Sequence, residues 1–180
     1  MPASDLEDLF AAIREAPDDD APRMVLADRL IELGEPRGEL IQLQRALAAL
    51  EIGDSRRRAL VARERELLRV PPNCGATYRA GFAEHVTLDA REAKHAVEWL
   101  AGELLIDGLR IEQCRGRSRD EWVWIGKAIE VVLERIRTLV FDDGEGWRCS
   151  AMLAALPPRP ARLVDLRIPY NTVLPSGWER

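Results

Sequence analysis

The feature that most constrains this chain is a spacing that recurs through its second half. Three segments align on L-x-x-L-x-L-x-x-N: Ile106/Leu109/Ile111/Cys114, Ile136/Leu139/Phe141/Gly144 and Leu163/Leu166/Ile168/Asn171, the last a full match including the Asn. Ala83/Val86/Leu88 fits the same frame more loosely. The anchors Val86, Leu109, Leu139 and Leu166 lie 23, 30 and 27 residues apart, room for one strand and one returning helix. Between them, apolar residues at helical spacing predict helices over 91–102 (Ala96, Val97, Leu100), over 120–134 (Val123, Ile129, Val132, Leu133) and, shorter, over 148–156. Strand, helix, strand at this interval predicts parallel strands joined by right-handed crossovers.

These intervals are similar to those of leucine-rich repeats, here in degenerate form. In such a repeat the L positions point into the core, and the residues between them stand on the open face of the sheet. Stacking the repeats predicts one column of Thr87, Arg110, Val140 and Arg167, a neighbouring column of Asp89, Glu112, Asp142 and Pro169, and flanks of His85, Gln113, Asp143 and Tyr170. Strands about 4.8 Å apart make Glu112 and Asp142 like-charged neighbours, which destabilises a sheet unless Arg110 and Arg167 offset them. The same strip reads as a recognition surface for a basic protein partner, with Arg110, Glu112, Asp142, Arg167 and Tyr170 as its candidate contacts. A hard cation held by Asp89, Glu112 and Asp142 fits no known loop motif.

The first seventy residues read as helices. Ser4 and Glu7 have capping-box spacing before Leu6, Leu9, Phe10 and Ile13, and this helix is expected to end near Ala16-Pro17. Asp18, Asp19, Asp20 and an early Pro22 open a second helix with Val25, Leu26, Leu30 and Leu33 on its apolar face and Gly34 as its stop. The Asp triplet is charge at the positive end of a helix rather than a cation site. Pro36 opens a third helix (Leu40, Leu43, Leu47, Leu50) that is expected to end at Gly53. Asp54 or Ser55 caps a fourth, which Pro71-Pro72 stops.

The stretch 18–44, built on Ala27-Asp28 and Pro36-Arg37-Gly38-Glu39, resembles the bacterial repeat-companion domain, a short helical module usually placed before leucine-rich-repeat-like segments. The resemblance covers about residues 4–50 and implies no particular activity. Leu26 and Arg29 stand where family members often carry aromatics. Physically, Asp28, Arg37 and Glu39 are expected to form a pairing network that pins the loop between the second and third helices. Arg37 would give a carboxylate a bidentate grip, and Gly38 would allow close backbone approach.

The fold expected is therefore mixed α/β. A helical module (1–70) would cap a short leucine-rich-repeat-like βα solenoid with a parallel sheet (71–180), the whole packed as one continuous unit. The strand at 163–168 leaves an edge to be covered by residues 169–180 or by another chain, with Pro169 and Pro175 as blockers, so a homodimer through that edge is an expected alternative.

Composition narrows the function classes. No run approaches the ~18 apolar residues of a membrane helix. The acidic start lacks the order of a secretory signal, and three widely spaced cysteines (Cys74, Cys114, Cys149) fit buried thiols, so a cytoplasmic location is expected. Net charge is -5, with 11 basic and 15 acidic residues in 1–70, which disfavours nucleic acid and anionic membrane. Twenty-four of the 26 basic residues are arginines, the lysines being Lys94 and Lys127.

Trp99, Trp122 and Trp124 fall on predicted helices, and Trp147 and Trp178 fall in predicted loops. Trp99 is expected in the core, while an exposed Trp122 or Trp124 would mark a contact surface. The sequence holds no H-E-x-x-H, C-x-x-C, P-loop, G-x-S-x-G or G-x-G-x-x-G, so neither a cofactor nor an enzyme is expected. The leading expectation is a non-catalytic protein–protein interaction module or adaptor that uses the concave sheet face. One alternative is an enzyme or enzyme accessory with a site around His85, Arg110 and Glu112. A second is a nucleic-acid binder that uses the arginines of 56–69.

Overall fold

A computed structural model describes residues 4–68 and 70–179. It is a mixed α/β structure whose described residues form seven α-helices and one five-stranded sheet in the order β1-β2-β3-β4-β5. Two compact units divide the chain: residues 1–69 with 78–82, and residues 70–77 with 83–180. The break at 69/70 sits beside the expected one, but residues 78–82 group with the helices.

In the helical unit, α1 (Ser4–Glu15), α2 (Asp20–Glu32), α3 (Pro36–Ala49) and α4 (Arg57–Leu67) follow one another. The expected cap of α1 rests on the Ser4 side chain, which lies outside the description. Asp19 caps α2, its carboxylate accepting from the Ala21 N–H at 2.9 Å, and Gly34 ends the turn at φ +74°. Pro36 occupies the first turn of α3, where its missing N–H costs nothing. Leu26, Leu30, Leu40, Leu43 and Leu47 are buried as their spacing demands. Val25 and Leu33 instead face solvent, and Ala27 and Ile41 close the core in their place. α3 stops at Ala49, four residues before Gly53.

Gly38 lets α3 meet α2 backbone to backbone. A Cβ there would come within 2.6 Å of the Ala27 carbonyl oxygen and 2.8 Å of the Ile31 nitrogen.

The other unit carries the repeats. β1 (Cys74–Arg79) turns through Ala80-Gly81 into β2 (Phe82–Asp89), and the two-residue turn makes this pair an antiparallel hairpin. The repeat pattern gave no sign of β1. Both turn residues have positive φ (44° and 86°), as a primed hairpin turn requires. From β2 the chain alternates through α5 (Ala93–Gly102), β3 (Gly108–Glu112), α6 (Arg119–Glu130), β4 (Thr138–Phe141), α7 (Gly146–Ala154) and β5 (Asp165–Arg167). β2, β3, β4 and β5 pair in parallel, and the register sets Val86 against Leu109, Leu109 against Leu139 and Leu139 against Leu166.

The inward L positions Leu88, Ile111 and Leu139 are closed off, as are Leu100, Ile125 and Leu153 from the helices. Each side chain so buried contributes roughly 1.5–3 kcal/mol of transfer free energy. Ser118 and Glu121 form a reciprocal capping box at the start of α6. Trp147, expected in a loop, is on α7, because Gly144-Glu145-Gly146 reads as a turn yet leads straight into the helix.

Candidate functional site

The parallel sheet has one packed face and one face turned toward solvent, because side chains alternate along each strand. On the second face the register sets Thr87 beside Arg110, Arg110 beside Val140 and Val140 beside Arg167, as the stacked repeats predict. Asp89 lies beside Glu112 in the same way. Arg110 and Arg167 are exposed, Val140 is buried between them in the row, and Tyr170 stands 91% exposed beyond β5.

The charges on this face are arranged in pairs. Arg110 Nη1 donates to Asp142 Oδ1 at 2.5 Å, which raises the guanidinium pKa further. Arg167 pairs with Asp165 at 2.9 Å on its own strand. Asp89 is nearly closed from solvent. Its carboxylate caps the 3-10 turn Ala90–Glu92 by accepting from the Arg91 N–H at 2.9 Å, and it also binds the Arg91 guanidinium. Those hydrogen bonds hold the Asp89 carboxyl below the usual range. Asp143 accepts from the Cys114 N–H at 2.9 Å. Glu112 is half-buried, and its carboxylate makes no hydrogen bond or ion pair among the described residues, though its charge acts on Arg110. Of the like-charged neighbours expected on this strip, only Asp142 is offset, by Arg110; Arg167 turns to Asp165 on its own strand instead, and Asp89 is offset by Arg91.

The expected trio of Asp28, Arg37 and Glu39 does not form a network. Asp28 accepts from Gln42 Nε2 at 3.0 Å, and Glu39 takes a two-point grip from Arg63 at 2.6 and 2.7 Å. Arg37 lies over the Phe82 ring at 4.9 Å and donates to the Gly81 carbonyl at 3.4 Å. Asp28 projects from α2 and Arg37 and Glu39 from α3, each to a different neighbour, and the α2–α3 junction is set by the close backbone approach at Gly38 instead. Gln44 Oε1 accepts from the Gly81 N–H at 2.7 Å, a role with no signature in the sequence.

His85 is exposed and lies over Gly108, whose missing side chain makes room for the imidazole. Cys114 and Cys149 are buried, and burial pushes both thiols up to about 12. Burial likewise pushes Cys74 up to about 11. None is a thiolate nucleophile near neutral pH. His95 is exposed beside Glu92, its Nδ1 3.3 Å from Oε2. No group of three or more His, Cys, Asp or Glu among the described residues is placed to hold a metal ion.

The arginines of 56–69 are largely engaged within their own unit. Arg56 pairs with Asp54, Arg57 donates to the Leu47 and Leu50 carbonyls, and Arg63 pairs with Glu39 and Glu66. Arg69 lies outside the described residues. Of the tryptophans, Trp122 is buried and stacked on Phe141, Trp178 is buried with its indole N–H on the Pro157 carbonyl, and Trp147 is 66% exposed. Trp99 is only partly covered. No described helix is long and apolar enough to cross a membrane.

The chain matches no protein-family model, no curated protein and no solved structure.

Proposed function

We propose that this chain is a protein-interaction module whose βα units form a short solenoid of the leucine-rich-repeat type and whose open sheet face receives a protein partner. The resemblance of 18–44 to the repeat-companion domain fits that reading, since such modules precede repeats of this kind. The observation that carries it is the composition of the solvent-facing sheet surface. Arg110 and Glu112 on β3 and Arg167 on β5 are arrayed across the parallel strands to either side of β4, with the exposed Tyr170 at the margin. Surface ion pairs such as Arg110–Asp142 hold little net energy, so a partner's charges can replace them at small cost. Tyrosine and arginine are the residues most often found to dominate interface energetics.

The test is affinity purification from the native host with mass spectrometry, run side by side with the wild type and with a variant carrying R110S, R167S and Y170A. The expected result is a protein enriched by the wild type and lost with the variant, while both show the same circular dichroism and thermal unfolding. Enrichment that survives the triple substitution, or no enrichment above the tag alone, overturns the reading.

A further inference from the structure

The helices of the βα unit carry a second feature, on surfaces the sheet face does not share. A groove of about 730 Å³ opens between α6 and α7, within the roughly 300–1,000 Å³ typical of small-molecule sites. Trp122, Gly126 and Met152 are among the residues that line it. Its depth depends on Gly126, where a Cβ would already touch Met152 Cγ at 3.4 Å. Val123 and Trp147 also line the groove and remain 51% and 66% exposed, which leaves large apolar surface in water.

Two further observations bear on what fills it. The lining carries Arg119, Lys127 and Arg148 against a single acid, Glu130, in a chain whose net charge is -5. Arg148 is already engaged, its Nε 2.7 Å from Glu145 and its Nη1 donating to the Arg117 carbonyl. Lys127 is engaged too, lying over the Trp124 ring at 4.3 Å. Arg119 has no carboxylate within ion-pair distance among the described residues. The second observation is placement: Arg119 and Trp122 stand three residues apart on α6, hence on the same side of the helix, so a cation with no carboxylate partner stands beside the apolar wall.

We propose that the α6–α7 groove binds an amphiphilic organic anion, with its carboxylate at Arg119 and its apolar body along Trp122, Gly126 and Met152 beneath Trp147. Charge complementarity selects an anion, and the apolar lining selects a body of alkyl or aromatic carbon. A docked helix fits less well, because α7 offers only nine residues of wall, about 13 Å of helix.

The probe is decanoate, titrated below its micelle concentration into the full chain and read by calorimetry and tryptophan fluorescence. Decanol and decyltrimethylammonium serve as neutral and cationic controls. The expected result is saturable one-to-one binding of decanoate, with both controls at least about tenfold weaker, as charge-assisted recognition requires. R119E weakens decanoate by a similar factor. Gly126→Leu, which fills the groove, and Val123→Asp, which places an acid at its mouth without touching the core, abolish binding while the circular dichroism is unchanged.

Absence of saturation overturns the proposal, as does decanol binding as tightly as decanoate, or decanoate affinity that R119E and Val123→Asp leave intact. A concentration-dependent dimer that Trp147→Ala dissolves and decanoate does not disturb also overturns it, in favour of a second copy as occupant. Val123→Asp and R119E leave the sheet face untouched, so loss of decanoate with retention of the sheet-face partner separates the two readings.

Discussion

The two compact units reach stability by different means. In the βα unit the repeated L positions and the inner faces of α5, α6 and α7 interlock, with Leu88, Ile111, Leu139, Ile125 and Ile129 fully closed from water. In the helical unit, α2 and α3 meet through a glycine, and α4 buries no residue fully. α4 is held mainly by polar links: Gln44 to Glu64 at 2.8 Å, Arg63 to Glu39, and Arg57 to the carbonyls that end α3. Apolar burial is worth far more per residue than exposed pairing. Local opening therefore begins at α4 and reaches the sheet last, a gradient that native-state hydrogen exchange reads directly.

The largest test of that contrast is Leu139→Ala at the centre of the sheet. It is expected to cost roughly 2–5 kcal/mol in urea unfolding, and a loss near zero would break the comparison. Next comes Gly38→Ala, where the added Cβ collides with backbone that has nowhere to go; roughly 1–3 kcal/mol is expected for overpacking of this kind. Gly53→Ala is its control, since a Cβ there meets open space, and it should leave the urea midpoint unchanged.

The buried thiols give a contribution specific to the βα unit. Cys149 ionises at about 12 in the fold against an ordinary value of 9.0. The folded state thus favours the neutral thiol, and its contribution is complete below pH 9 and fades as pH rises toward about 12. Cys149→Ala should flatten that alkaline loss in denaturation curves recorded across the window. Ser118→Ala removes half of the α6 capping box and should cost about 1 kcal/mol. The smallest effect is expected from Arg63→Gln. Both partners in the Arg63–Glu39 pair are close to half exposed, so the global midpoint should not move while amide exchange in α4 quickens.

The sequence made some of this visible and hid the rest for identifiable reasons. Strands β2 to β5 were legible because the same apolar spacing returns at each, and a shared spacing sets the register as well as the strands. That is why the row Thr87, Arg110, Val140 and Arg167 follows from the spacing alone. β1 was hidden because Cys74–Arg79 carries no run of apolar residues, and its turn uses Ala80-Gly81 rather than an Asn-Gly pair.

Gly38 was legible as a close-approach residue because a glycine just inside a helix start needs a packing reason. The partners of Asp28, Arg37 and Glu39 were not legible, since nearness in sequence says little about where long side chains reach across a helix. The α6–α7 groove also escaped. It arises from two helices facing each other, and Trp147 sits behind two glycines that imitate a loop.

The two lysines give the molecule a built-in probe. Lys94 on α5 and Lys127 on α6 flank the same indole, Trp124, at 5.5 and 4.3 Å. An endoprotease specific for lysine thus has two sites in these 180 residues, each inside a helix of the βα unit. A peptide bond in a helix must unwind before it is cut. The rate at which such an enzyme nicks the folded chain is therefore a clock for the opening of α5 and α6, recorded in fragments whose masses tell the two sites apart and needing no label.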